Sequence, residues 1–140
     1  MKTFEGRRCV TYNDRQRLGC WLDDETIYSW SDPGCSDKLT SALESADVVD
    51  ADLAPEDLVT MNSTVLLAEK SDGKQWTVTL VYPDDIDLVA DGISVLDPRG
   101  MALLGRRVGE LIQWSADGLR RKVRIDDVVY QPELAGASHL

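Results

Sequence analysis

Gln75-Trp76-Thr77-Val78-Thr79-Leu80-Val81-Tyr82 is the stretch on which the reading of the fold turns. Trp76, Val78, Leu80 and Tyr82 alternate with Gln75, Thr77, Thr79 and Val81, the two-residue period of a strand with one buried face. Residues 58–70, just upstream, read as a second strand, and Asp72-Gly73 between the two runs is a hairpin turn signal. Further on, 83–91 reads as an acidic loop and 92–96 as a short strand. Residues 108–114 and 119–129 read as two more strands joined at Asp117-Gly118. Asp97-Pro98 opens a short helix that Gly105 closes. Aspartate suits the N-cap, proline the first helical position, and glycine the residue past the end.

Toward the N-terminus the period changes from two to that of a helix. Asn13 and Gln16 have capping-box spacing, and Leu18, Trp21 and Leu22 follow at helical intervals, which predicts a first helix over 14–23. Asp32-Pro33-Gly34 marks a turn, and a second helix from about Ser36 carries Leu39, Ala42, Leu43 and Ala46 on one face. Residues 47–55 read as an acidic linker and the last ten residues as a tail. The expected class is α+β. A short N-terminal antiparallel helical hairpin with its linker (1–56) is followed by a domain of about five strands and one short helix (57–140).

Length and composition bound the function. A chain of 140 residues, 43% hydrophobic and 29% charged, folds around one core without a partner. No apolar run approaches the ~20 residues of a membrane span, and the first residues lack the apolar stretch of a signal peptide, so a cytoplasmic protein is expected. Cys9, Cys20 and Cys35 form neither a CxxC pair nor a disulfide framework and read as reduced packing residues. Residues 23–57 hold eleven acids against Lys38 alone, a net of −10 that equals the charge of the whole chain. A field of that sign opposes phosphate, so direct nucleic-acid binding is not expected.

Little in the sequence suggests catalysis. The single histidine, His139, stands next to the C-terminus, which leaves no Ser/His/Asp or Cys/His arrangement and no zinc-ligand spacing. There is no Gly-rich phosphate loop. Asp84, Asp85 and Asp87 read as a solvated loop rather than a cation site. Arg120, Lys122 and Arg124 share one face of a strand, either as a solvated face or as a surface for an acidic partner.

Several motifs carry a family resemblance: Val59-Thr60-Met61-Asn62-Ser63, Leu80-Val81-Tyr82-Pro83, Ile93-Ser94-Val95, Pro98 with Gly100, Ala102-Leu103-Leu104-Gly105, and Val108-Gly109. Together they resemble the C-terminal domain of the bacterial Gre transcript-cleavage factors. The match is closer to a Gre homologue that shares the Val-Thr-Met-Asn-Ser run and Tyr130-Gln131-Pro132-Glu133. The resemblance covers about 57–136. It implies an FKBP-like domain that grips a helical hairpin of the largest subunit of RNA polymerase, at the rim of the secondary channel. The contact comes from the turn before the short helix, here 94–98, which offers Ser94, Leu96, Asp97 and Pro98. Pro98 matches the family's proline, whereas Leu96 stands where some members carry an acidic or amide residue. A competing reading gives Asp97 only the N-cap role.

In Gre factors, tip carboxylates on a long coiled-coil arm hold a catalytic metal ion. Asp23, Asp24 and Glu25 at the hairpin tip are of the right type, but a first helix of about ten residues reaches only ~15 Å. The tip is therefore read as solvated, with no metal and no cofactor. The expected function is a monomeric regulator that binds polymerase and competes with Gre factors without cutting transcripts. A short-armed cleavage factor and an FKBP-like prolyl isomerase are the alternatives. Against the isomerase, the second domain has only Trp76, Tyr82, Trp114 and Tyr130 from which to line an aromatic pocket.

Overall fold

The computed structural model describes residues 8–22, 33–50, 53–116 and 119–132. Strand β1 (Cys9–Thr11) runs directly into α1 (Tyr12–Leu22), and α2 (Pro33–Ser45) leads into β2 (Asp47–Val49), which pairs parallel with β1. The main sheet has five strands: β3 (Thr64–Glu69), β4 (Gln75–Val81), β5 (Gly92–Ser94), β6 (Leu111–Ala116) and β7 (Leu119–Tyr130). Their spatial order is β5-β4-β3-β7-β6. A 3-10 helix (Pro83–Leu88) and α3 (Pro98–Leu103) lie in the connections. The chain is α+β, and among the described residues no helix is long and apolar enough to cross a membrane.

The hairpin read from 75–82 is present. β3 and β4 pair antiparallel, with Val65 opposite Val78 and Leu67 opposite Trp76. Gly73 has a φ of 74°, a conformation glycine enters without steric cost. Alternation along β4 breaks at its end, where Thr79 and Val81 are buried together with Val78 and Leu80. The second face is covered there as well: Thr79 Oγ1 donates to Asp91 Oδ1 at 3.2 Å and lies 2.8 Å from Thr64 Oγ1.

Several boundaries differ from the sequence reading. The strand expected over 58–70 begins only at Thr64, because 59–63 fold into a turn. Ser63 Oγ accepts from Thr60 N at 3.0 Å and lies 2.7 Å from Thr60 Oγ1, while Asn62 takes a φ of 65°. Short hydroxyl and amide side chains offer the backbone this local alternative to a ladder. α1 starts at Tyr12, and its cap is the buried Thr11, whose Oγ1 accepts from Asp14 N at 3.1 Å, rather than the Asn13/Gln16 pair. α2 starts at Pro33, whose fixed φ suits a first helical position. The expected linker contributes β2. β6 starts at Leu111, after Gly109 has turned the chain with a φ of 92°. The expected tail is fastened where it begins: buried Gln131 donates through Nε2 to Pro55 O at 2.7 Å and Leu58 O at 2.9 Å.

One buried cluster unites the two parts of the chain. Val10, Leu18, Leu39 and Leu43 lie in it with Met61, Leu80, Leu103 and Ile125. Burial of each such side chain contributes ~1.5–3 kcal/mol, so the described parts of α1 and α2 belong to the core of the sheet. A polar tie crosses the same boundary. Asp14, 4% exposed, accepts from Met61 N at 2.9 Å through Oδ2, and the guanidinium of Arg17 stands 5.0 Å from the Tyr82 ring centre. Removing Asp14 leaves a buried amide without its charged acceptor. Asp14→Ala is therefore expected to cost about 2–3 kcal/mol in urea denaturation, and Asn13→Ala, outside the true cap, less than about 0.5 kcal/mol.

Candidate functional site

The turn between β5 and α3 is built by backbone contacts on every side. β5 pairs parallel with β4, Leu80 opposite Ile93 and Val81 opposite Ser94, and Val95 N continues the pairing to Val81 O at 3.0 Å. Ser94 Oγ accepts from Leu96 N at 3.1 Å, and Ser94 O accepts from Asp97 N at 3.0 Å, so the chain reverses within three residues. Asp97 then caps α3, with Oδ1 accepting from Arg99 N at 2.9 Å. The Arg99 guanidinium folds back onto the same carboxylate, Nε to Oδ1 and Nη2 to Oδ2, both at 3.0 Å.

Electrostatics follow that geometry. Burial pushes the Asp97 carboxyl up, but the hydrogen bonds from the Arg99 side chain and backbone outweigh it and hold the group below the ordinary carboxylate range. The Arg99 guanidinium is raised in turn, first by its hydrogen bond to Asp97. Asp97 is thus an ionised cap at neutral pH with its charge answered locally.

The underside of the turn is fixed by Gly100. A Cβ there would lie 2.0 Å from Ser94 O and 3.2 Å from a methyl carbon of Leu80, so α3 rests directly on the β5 backbone. The far end of α3 is held by Arg8, whose Nη1 donates to Met101 O and, at 2.9 Å, to Leu104 O. Burial, with Arg106 adding to it, lowers the Arg8 pKa to about 10, which still leaves it charged at neutral pH. Gly105, with a φ of 79°, ends the helix, and Cys9 N donates to its carbonyl at 3.1 Å.

Of the residues singled out in the sequence, Ser94, Asp97 and Pro98 lie together here, with Pro98 exposed on the first turn of α3. Leu96 is a correction: only 7% exposed, it turns into the core, so Pro98 alone presents apolar area to solvent at this point. Asp23, Asp24 and Glu25 lie outside the described residues. Sequence reasoning missed Arg99 and Arg8. Arg99 had a signal, a cation two places past the capping aspartate. Arg8 had none, because its partners are carbonyls more than ninety residues away. Burial, then Asp47, raises the Cys9 thiol, which suits a packing cysteine, whereas Cys20 is exposed on α1 and corrects the packing reading there. Among the described residues no group of three or more His, Cys, Asp or Glu is placed to hold a metal ion.

Two substitutions test this construction. Gly100→Ala must displace α3 from β5 and is expected to cost about 3 kcal/mol or more, read by thermal and urea unfolding. Asp97→Ala is expected to cost about 1 kcal/mol at neutral pH. Because the folded-state pKa of Asp97 is lowered, its contribution is present above the ordinary aspartate pKa of about 3.9. It is lost as pH falls through the folded value, so the difference between wild type and Asp97→Ala should close in acid.

Residues 54–130 match the family described as Transcription elongation factor, GreA/GreB, C-term. The chain is 39% identical over 102 residues to the regulator of nucleoside diphosphate kinase of Escherichia coli (strain K12), covering 72% of this chain and 75% of that protein. It is 30% identical to transcription elongation factor GreA of Syntrophus aciditrophicus, of which it spans 59%. Among solved structures, the prokaryotic transcription elongation factor GreA/GreB from Nitrosomonas europaea superposes with a TM-score of 0.74 at 38% identity. That match covers 90% of this chain and all of the other. The turn at 94–98 and the 59–63 turn that supports it both fall within the matched residues, and the chain belongs to the GreA/GreB C-terminal family of transcription elongation factors.

Proposed function

We propose that the chain is a transcription regulator that docks on RNA polymerase at the rim of the secondary channel through the turn at 94–98. There it competes with Gre factors and cleaves no transcript itself. Family membership supports the polymerase as partner. The observation that carries the choice of surface is the exposed Pro98 ring on a turn locked from beneath by Gly100 and from the side by the Asp97–Arg99 pair. A surface already ordered in the free protein loses little conformational entropy on binding. On this reading the five-stranded unit from residue 57 onward is the FKBP-like docking module and the helix pair its companion.

Helix length supports the absence of cleavage. The described parts of α1 and α2 have 11 and 13 residues, so at 1.5 Å per residue they extend roughly 16–20 Å, short of a long coiled-coil probe. Prolyl isomerisation is disfavoured by where the aromatics lie. Tyr82 and Trp114 are each 7% exposed and Trp76 packs against the same core, so these three form packing, while the exposed Tyr130 stands apart from them, opposite Thr64.

Purified core polymerase should retain the protein in a pull-down at micromolar concentration and low salt; absence of a complex would refute the docking reading. Added to backtracked elongation complexes, the protein should leave the rate of transcript shortening unchanged. Acceleration that disappears on replacing Asp23, Asp24 and Glu25 with alanine would establish the short-armed cleavage factor instead.

Pro98→Ala isolates the surface. A proline at the first helical position has no N–H bond to lose, so the thermal midpoint should barely move. Polymerase affinity should fall about tenfold, equivalent to about 1.4 kcal/mol. Unchanged affinity would remove 94–98 from the interface.

A further inference from the structure

β6 is an edge strand, hydrogen-bonded to β7 on one side only in the sheet order. Its sequence, Leu111-Ile112-Gln113-Trp114-Ser115-Ala116, holds no charge and no proline. Exposed edges are ordinarily protected from pairing with other chains by charge, proline or a bulge, and this one has none of these within the strand. Register shows which backbone groups are open. Lys122 O accepts from Lys70 N at 3.1 Å, on the β3 side of β7. Gln113, opposite Lys122, is therefore in a non-hydrogen-bonded pair and directs its own N–H and C=O away from β7. Leu111 and Ser115, two residues either way, direct theirs likewise.

The solvent face behind that edge is cationic. Arg120, Lys122 and Arg124 lie opposite Ser115, Gln113 and Leu111, and Lys70 adjoins Lys122. Arg124 is paired with Asp126, Nε to Oδ1 at 2.6 Å. Among the described residues no acid lies within ion-pair distance of Arg120, Lys122 or Lys70. A hollow of about 290 Å³ lined by Ala68, Glu69, Lys70, Gly73, Leu111 and Arg124 adds room beside this face, and the one acid on its wall, Glu69, is engaged by Arg121 at 3.5 Å. In a chain of net charge −10 such a concentration of cations is a local reversal of sign, confined to residues 120–124 and Lys70, since Asp126 and Asp127 follow on β7.

We infer that the open edge of β6, backed by the cations of β7, receives an extended acidic segment of a partner protein as a sixth strand. Main-chain bonds to Leu111, Gln113 and Ser115 would supply affinity, and alternate acidic side chains would select the occupant. Strands lie about 4.8 Å apart, so the added strand stands about 10 Å from β7, within the joint reach of lysine or arginine and glutamate side chains. The remaining side chains of the added strand would extend the inner layer of Ile112 and Trp114. A single-stranded nucleic acid fits less well. Such ligands stack on aromatic platforms, whereas Trp76 and Trp114 lie on the opposite, core-facing side of the sheet; the part of the cationic face beside β6 offers Gln113, Leu111 and Gln75, and the exposed Tyr130 stands six residues beyond Arg124, opposite Thr64.

The test needs no polymerase and is independent of the docking turn. A short fluorescein-labelled peptide of alternating glutamate and valine is titrated with the full chain, with fluorescence anisotropy as readout. Expected is micromolar binding that weakens with salt and falls at least tenfold for both Gln113→Pro and Lys122→Glu. Gln113→Pro removes only the outward N–H and is tolerated on an edge strand, while Lys122→Glu sits on a solvated face. Circular dichroism verifies that each variant is folded, and Lys122→Glu decides alone if the proline variant is not. The inference is overturned by absence of peptide binding at low salt, or by equal binding of the folded variants. It is also overturned by tighter binding of a uridine oligonucleotide, or by self-association of the chain through the same edge in light scattering.

Discussion

A buried turn, 59–63, satisfies its backbone groups from three separate parts of the chain at once. Met61 N is held by the Asp14 carboxylate of α1. Asn62 N and Ser63 O are held by Leu80 on β4, at 2.6 and 3.0 Å. Val59 N and Val59 O are held by Arg106 O and Gly105 N, at 2.8 and 3.0 Å. An unpaired buried backbone group costs ~1–3 kcal/mol, so each partner is fixed in place by the penalty for leaving. The left-handed φ of Asn62 turns these groups outward to three partners rather than along a single ladder.

From this junction the positions of the other parts follow. Leu80 stands beside Ile93 in the parallel pairing with β5, so the turn sets the height of the strand that launches 94–98. Gly105 and Arg106 end α3, so the same junction sets where that helix stops, and Gly100 brings its other end onto Ser94. The docking turn is thus held from both ends by bonds that trace back to one place. Its own side chains are left with small tasks: Asp97 caps, Arg99 answers the charge, and Pro98 faces solvent.

The parts of the fold legible in sequence are those decided by local chemistry. The hairpin at Asp72-Gly73 and the Asp97-Pro98 helix with Gly105 behind it need only turn residues, caps and a two-residue period, all visible in adjacent positions. What escaped was set by distant partners. Thr11 displaced Asn13 as the cap because its hydroxyl is buried by the fold, and β2 formed within an apparent acidic linker because β1, nearly forty residues away, is there to pair with it. Leu96 looked like an apolar companion to Pro98, yet a turn of only three residues leaves its side chain pointing at the core. The family's run at 59–63 was recognisable as a motif and still misread as strand, since Val-Thr-Met is strand-like in composition until the Thr60–Ser63 hydroxyl pair is seen.

The division of the chain near residue 57 has the same dependence on distant contacts. α1 and α2 contribute Leu18, Leu39 and Leu43 to the core that also contains Leu80 and Leu103, and Asp14 supplies the acceptor that Met61 N requires. A sheet unit cut at the sequence boundary would expose those leucine contacts and orphan that amide. The cost of separation combines an apolar term with a buried polar one, and the two are coupled through the same turn. Any displacement of α1 therefore acts on 59–63 first and, through Leu80 and Gly105, on both ends of the segment that presents Pro98.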